Sequence, residues 1–237
     1  MVAKLFYALS ILRRRGLSFF FIYFRESVWF DLRHRTRTSA RVPKQDQDLV
    51  EAGTDAADGL LYVASFTTVT RQSVALAEQI LGSARFRQAQ FLDLGCGKGK
   101  ALLVYALNYA RMVQHPPVGI EYDSDLADLA KANVRACGFQ PNEVQVAADS
   151  ATNIREYTAG DLSIIYLYNS FQGETLGHVL NALRDHPHLL IYVDPAEAQR
   201  LAHFGYEILE RRKGRYNADT WLVARSETLR TEPGDAG

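Results

Sequence analysis

The chain has 237 residues, enough for one α/β domain with an appendage, and 47% of them are hydrophobic, which excludes wholesale disorder. Lysine plus arginine equals aspartate plus glutamate at 27 each, so no global charge draws it to nucleic acid or an anionic membrane. The two cysteines, Cys96 and Cys137, suit a reduced, cytoplasmic protein better than a disulfide scaffold.

The first 30 residues are rich in apolar and aromatic side chains, but Arg13-Arg14-Arg15 interrupts them and no small-residue cleavage site follows. The run 17–24 has eight residues, against the roughly 20 that a membrane-spanning helix needs. One or two amphipathic helices that pack on the domain, or close over its site as a substrate lid, are expected. A lesser reading lays Phe19, Phe20, Phe21, Tyr23 and Phe24 on a membrane surface beside the basic triplet. Residues 31–59 turn polar and read as a long connecting loop. Its Arg33, Arg35, Arg37 and Arg41 read as solvated charges; without a recognised nucleic-acid module, nucleic acid is not the expected partner.

A helix is predicted over 60–82, with Tyr62 and Phe66 just before or within its first turns and Gly82 as its stop. Strands and helices then alternate: strand 90–94, helix 98–110, strand 118–122, helix 124–137 capped by Ser124, strand 144–148, strand 162–168, helix 174–184, strand 189–193, helix 195–204. His186-Pro187-His188 reads as a turn before a strand, not a zinc site, and no metal is expected. Two last strands, 206–210 and 220–224, are too close for a parallel crossover and are predicted to pair as an antiparallel edge hairpin. The fold class is therefore α/β, a doubly wound, mostly parallel seven-stranded sheet with a helical N-terminal extension over 1–59. The main domain covers 60–226, and 227–237 is expected to be a flexible tail.

Three features at strand ends carry chemistry. The turn Asp93-Leu94-Gly95-Cys96-Gly97-Lys98-Gly99 follows a strand and opens a helix, the context in which a glycine-rich run is a nucleotide-binding signal. Without β-carbons, Gly95, Gly97 and Gly99 let the backbone turn tightly and approach a ligand, and the following helix offers its N–H groups. Glu121, 22 residues beyond Gly99, ends the second strand where an acid can accept from both ribose hydroxyls. Asp149-Ser150 ends the third strand, where an aspartate can accept from an adenine amino group. Lys98 and Lys100 read as helix surface charges.

The run Phe91-Leu-Asp-Leu-Gly-Cys-Gly-Lys-Gly-Lys100 resembles the first motif of the class I, Rossmann-like S-adenosylmethionine-dependent methyltransferases, and the likeness extends over about residues 90–225. It implies that S-adenosylmethionine is the cofactor. Its methionine part would lie near Asp93, Gly95, Cys96 and Gly97, its ribose on Glu121, and its adenine beside Tyr122, Asp149 and Ser150. Tyr166-Leu-Tyr-Asn-Ser-Phe171 stands where many members carry Asn/Asp-Pro-Pro-Tyr/Phe. Asn169 and Phe171 fit and Ser170 replaces proline. By this resemblance Tyr168, Asn169 and Phe171 face the methyl acceptor, implying N-methylation of an amine in a protein side chain or small metabolite. O-methylation is the alternative within the class, though no base for it is visible. A binding module that has lost catalysis is the alternative outside it.

Overall fold

The computed structural model describes residues 21–22, 24–39, 64–214 and 219–230. Seven strands form one sheet: β1 (Gln90–Leu94), β2 (Val118–Glu121), β3 (Gln145–Ala148), β4 (Ser163–Tyr168), β5 (His188–Val193), β6 (Glu207–Arg212) and β7 (Trp221–Arg225). The spatial order is β3-β2-β1-β4-β5-β7-β6. The first five strands run parallel, and β7 inserts antiparallel between β5 and β6, with Val193 opposite Trp221. The doubly wound sheet with an antiparallel edge hairpin is thus observed.

Side-chain alternation along each strand divides the core between two faces. On one face Phe91, Ile164, Tyr166, Ile191 and Trp221 pack under α2 (Thr67–Gln88) and α3 (Lys100–Tyr109). Phe91 stacks on Tyr105 at 4.0 Å between ring centroids. On the other face Leu92, Leu94, Ile165, Leu167 and Tyr192 join Leu176 and Val179 of α5 (Gly173–Ala182). All five positions of β1 and all six of β5 are buried, as a sheet covered on both sides demands.

Several boundaries differ from the sequence expectation. The residues at 29–34 are helical (α1, Trp29–His34), preceded by a π-helical turn, Phe24–Val28, so the long loop does not begin at 31. Thr36, Thr38 and Ser39 are tied back to the Asp31 carboxylate, which accepts from both hydroxyls and from the amides of Thr38 and Ser39. Residues 1–20, with the aromatic run 19–20, Tyr23 and Arg41, and Tyr62, lie outside the described residues. The helix α2 starts at Thr67 and passes through Gly82, which breaks it locally (φ 74°, ψ 149°) without ending it. Helix α4 (Ser124–Ala136) is capped by Asp123, whose carboxylate accepts from the amides of Asp125 and Leu126; Ser124 is its first residue. The helix expected over 195–204 spans Ala198–Phe204 and is of the 3-10 type, and a further 3-10 helix occupies Ala151–Glu156.

Residues 227–230, expected to belong to a flexible tail, form α6 (Glu227–Arg230), which buries Leu229 at 1% exposure, and Ser226 binds the first amide of β5. Both cysteines are free thiols. Among the described residues no helix is long and apolar enough to cross a membrane.

Candidate active site at the carboxyl ends of the strands

In an open parallel sheet a ligand binds outside the carboxyl ends of the strands where the winding reverses. Here the reversal lies between β1 and β4. The sequence-predicted residues stand in a row along that edge: Asp149 after β3, Glu121 at the end of β2, the glycine turn after β1, and Asn169 after β4. Asp194 follows β5, and sequence reasoning missed it.

The glycine turn is a braced structure. Gly95 and Cys96 both donate from their amides to the Ile120 carbonyl, at 2.8 and 3.0 Å. Gly97 donates to Glu121 Oε2 at 2.6 Å, and Glu121 Oε1 accepts from the Asp123 amide at 3.0 Å. With the Tyr122 amide also against it, the carboxylate still keeps acceptor capacity for a sugar hydroxyl. Burial raises the Glu121 pKa, and the amides of Asp123, Gly97 and Tyr122 pull against that.

Asp93 shares strand parity with Phe91, so its side chain points under α3, where Oδ2 accepts from the Leu102 amide at 3.0 Å. It is 3% exposed, and burial pushes its carboxyl up to about 7. Asp93 therefore ties the first strand to the first turn of α3, in the manner of a helix cap. Cys96 is likewise turned inward. A β-carbon on Gly119 would stand 2.8 Å from its sulfur, so Gly119 is the hole that receives the thiol.

Gly95 has φ 64°, and a β-carbon there would meet the Ser170 β-carbon at 2.3 Å. The space that glycine leaves is filled by the loop after β4. The Ser170 hydroxyl lies 3.2 Å from the Leu94 carbonyl, 3.3 Å from that of Gly95 and 3.2 Å from that of Tyr168. With one proton it donates to one of them at a time, and it pins the β4 loop to the β1 turn across the switch point.

Asn169 and Asp194 adopt the left-handed backbone region, φ 36° and 47°, at the ends of neighbouring strands. Asparagine and aspartate tolerate that region better than other side chains with a β-carbon. The Asn169 amide nitrogen donates to Asp194 Oδ2 over 3.4 Å, and Gln172 donates to Asn169 Oδ1 at 3.1 Å. Tyr168 is half-buried beside the pair, and its hydroxyl pKa is raised, first by burial. Phe171 is 6% exposed and belongs to the core of the second face.

At the far end of the row, Tyr122 is 46% exposed beyond β2. The Asp149 carboxylate already accepts from the Tyr157 hydroxyl, the Asn153 amide group and the Ser150 amide, at 2.7, 2.9 and 2.7 Å. The Tyr157 bond is the main reason its pKa is lowered. Ser150 caps the 3-10 helix that follows by accepting from the Thr152 amide.

The two lysines of the turn are not surface charges. Both are 2% exposed. Lys100 Nζ donates to the Glu26 carbonyl and lies 5.6 Å over the Phe30 ring, and burial lowers its pKa to about 8. The N-terminal segment thus docks on the first turn of α3. The Glu26 carboxylate accepts from the Thr68 hydroxyl and amide at the start of α2, and the Arg37 amide donates to Asn133 of α4.

No protein-family model matches the chain, and no curated protein sequence matches it. Solved structures resembling it include a ribosomal protein L11 methylase from Lactobacillus delbrueckii subsp. bulgaricus, 17% identical, covering 66% of this chain and 79% of that one, with a TM-score of 0.45. A putative rRNA-methylase from Clostridium thermocellum is 13% identical over 65% of this chain and 94% of that one, TM-score 0.47. An amino pentose methyltransferase from Micromonospora echinaspora, solved with S-adenosylmethionine bound, is 14% identical over 66% of this chain and 91% of that one, TM-score 0.48.

Proposed function

We propose that this chain is an S-adenosylmethionine-dependent methyltransferase acting on an amine. One observation carries the reading: a buried carboxylate on β2, a braced glycine turn on β1 and an oriented asparagine on β4 stand in that order along one edge. Neighbouring strands lie about 4.8 Å apart, so the row from β3 to β4 spans on the order of 15 Å, room for an extended nucleoside with a side chain. The residues fit such a group because the Glu121 carboxylate keeps acceptor capacity while the amides of Gly97 and Asp123 hold it still.

When bound, the cofactor supplies a methyl group on a positively charged sulfur. Glu121 would hold the sugar, and the glycine turn would hold the amino-acid end. Asp93 keeps the turn in shape from beneath. Asn169 would hold the acceptor: its NH2 faces the Asp194 carboxylate, and its carbonyl oxygen, which accepts from Gln172, keeps a second lone pair for an amine N–H. Positive charge grows on an attacking amine, and that oxygen dipole stabilises it more as the reaction proceeds. Positioning of the amine in line with the methyl accounts for much of the remaining barrier reduction.

Calorimetry with S-adenosylmethionine and its demethylated product, on protein freed of carried-over ligand, tests the cofactor. A methyl-transfer assay over a panel of amines and hydroxyl compounds tests the reaction. Absence of affinity for both nucleosides overturns the reading, and turnover confined to hydroxyl compounds overturns its N-methylation part.

A further inference from the structure

The N-terminal segment shows two unlike faces. Inward it places Glu26, Phe30 and Asp31, at 2, 4 and 4% exposure, with Lys100 beneath them. Outward it leaves Phe24, Trp29 and Leu32 at 42, 54 and 64%. A surface helix that packs on a domain is expected to turn its apolar residues in and its charges out. Here the only two acids among residues 24–39 are buried and engaged, whereas Arg25, Arg33, Arg35 and Arg37 are exposed. Arg25 is paired with Glu26 at 2.9 Å. The outer surface is therefore apolar and cationic, with no exposed carboxylate.

We propose that this outer face, bearing Phe24, Trp29 and Leu32 with the neighbouring arginines, docks the protein on an anionic lipid bilayer. The spacing suits it. Leu32 and Arg33 lie three and four residues beyond Trp29, and Arg25 four before it, so on a helix they neighbour the indole. Tryptophan favours the boundary between headgroups and acyl chains, phenylalanine and leucine gain by entering it, and arginine pairs with phosphate. An RNA would reward the arginines but not an exposed leucine and phenylalanine. A protein partner gives no reason for the complete inward turn of the acids.

The fluorescence of the full chain reads this directly. Trp29 is one of two tryptophans, and the other, Trp221, is 1% exposed and stays silent. Mixing with vesicles of phosphatidylcholine plus phosphatidylglycerol is expected to shift the Trp29 emission to the blue and to carry the protein down on sedimentation. Phosphatidylcholine alone is expected to do neither, and added salt to reverse both. Trp29→Ala with Leu32→Ser should abolish sedimentation. Arg33→Gln and Arg35→Gln should weaken it about fivefold each. These side chains are exposed, so thermal unfolding should be unchanged, which separates lost docking from lost folding. The proposal is overturned by any of four results: no sedimentation with the mixed vesicles, equal binding to the neutral ones, an emission already blue-shifted in buffer or shifting only with protein concentration, or binding to RNA with none to vesicles.

Discussion

Asn169 and Asp194 end adjacent parallel strands, share the left-handed backbone conformation, and are joined side chain to side chain. Neither residue's position explains the other's backbone, so two strained turns have been placed where one side chain orients the next. Under the proposed function, the long 3.4 Å separation would leave the amide room to tighten on an acceptor.

The pair makes a specific prediction. Asn169→Ala should lower turnover on the order of 10- to 100-fold and change cofactor affinity little. Asp194→Asn keeps one acceptor oxygen but removes the charge and adds a competing donor, so the Asn169 amide is held less firmly in that direction. Turnover should then fall about tenfold, with cofactor binding again preserved. Steady-state kinetics beside calorimetry checks both, and equal loss of turnover and affinity would mean that Asn169 merely supports the loop.

Glu121 should behave in the opposite way. Glu121→Ala removes the acceptor of the Gly97 amide and the proposed sugar contact together, which at about 2–3 kcal/mol corresponds to 30- to 150-fold weaker binding of cofactor and product. Glu121→Gln keeps one acceptor oxygen and should lie between. Calorimetric titration of the demethylated product is the cleanest readout, since no acceptor is needed. An unchanged affinity in Glu121→Ala would remove the residue from the site.

The elements and the strand-end residues were legible because they rest on short-range chemistry. Apolar runs mark buried strands, and a glycine-rich turn between strand and helix carries its own steric signature. What could not be read depends on parity and on distant packing. Asp93 looked like a ligand-facing acid, yet its place on β1 points it beneath α3. Lys98 and Lys100 looked like helix surface charges because nothing in their local pattern announces Glu26 and Phe30, some 70 residues earlier, lying over the α3 start. Asp194 precedes a proline and reads as an ordinary turn residue until β5 is known to lie beside β4.

Ser170 and Gly95 should be coupled. Gly95→Ala collides with the Ser170 β-carbon and also strains a positive φ, so it should destabilise the fold by about 2–4 kcal/mol. Ser170→Gly alone loses a hydrogen bond and some rigidity, about 1 kcal/mol each. In the double variant the collision is gone and only the backbone strain remains, so the pair should be more stable than the sum of the single changes implies. Urea unfolding of the four proteins measures this. Strict additivity would show that the two loops do not touch.

The remaining prediction concerns pH. His188 is fully buried at the start of β5: Nδ1 donates to the His186 carbonyl at 2.6 Å, which leaves Nε2 to accept from the Tyr206 hydroxyl at 2.6 Å. His186 lies 2.8 Å from the Ser163 hydroxyl. Burial lowers both imidazoles to about 4, against 6.5 in an unfolded chain. The unfolded state therefore binds more protons between those values. Their stabilising contribution is complete above pH 6.5 and is lost as pH falls toward 4, by about 3 kcal/mol for His188. Asp93 acts in the reverse direction: its folded carboxyl, raised to about 7, releases its proton later than the unfolded one, so its contribution is lost as pH rises from about 4 to 7. The net curve therefore mixes the two, and a difference isolates the histidine. Relative to His188→Gln, the wild-type protein should lose stability below pH 6.5 and match its slope above. Two of the six histidine resonances should stay at their neutral positions down to about pH 5 in an NMR titration. A His188 resonance that titrates near 6.5 would show that the Tyr206 contact does not hold it neutral.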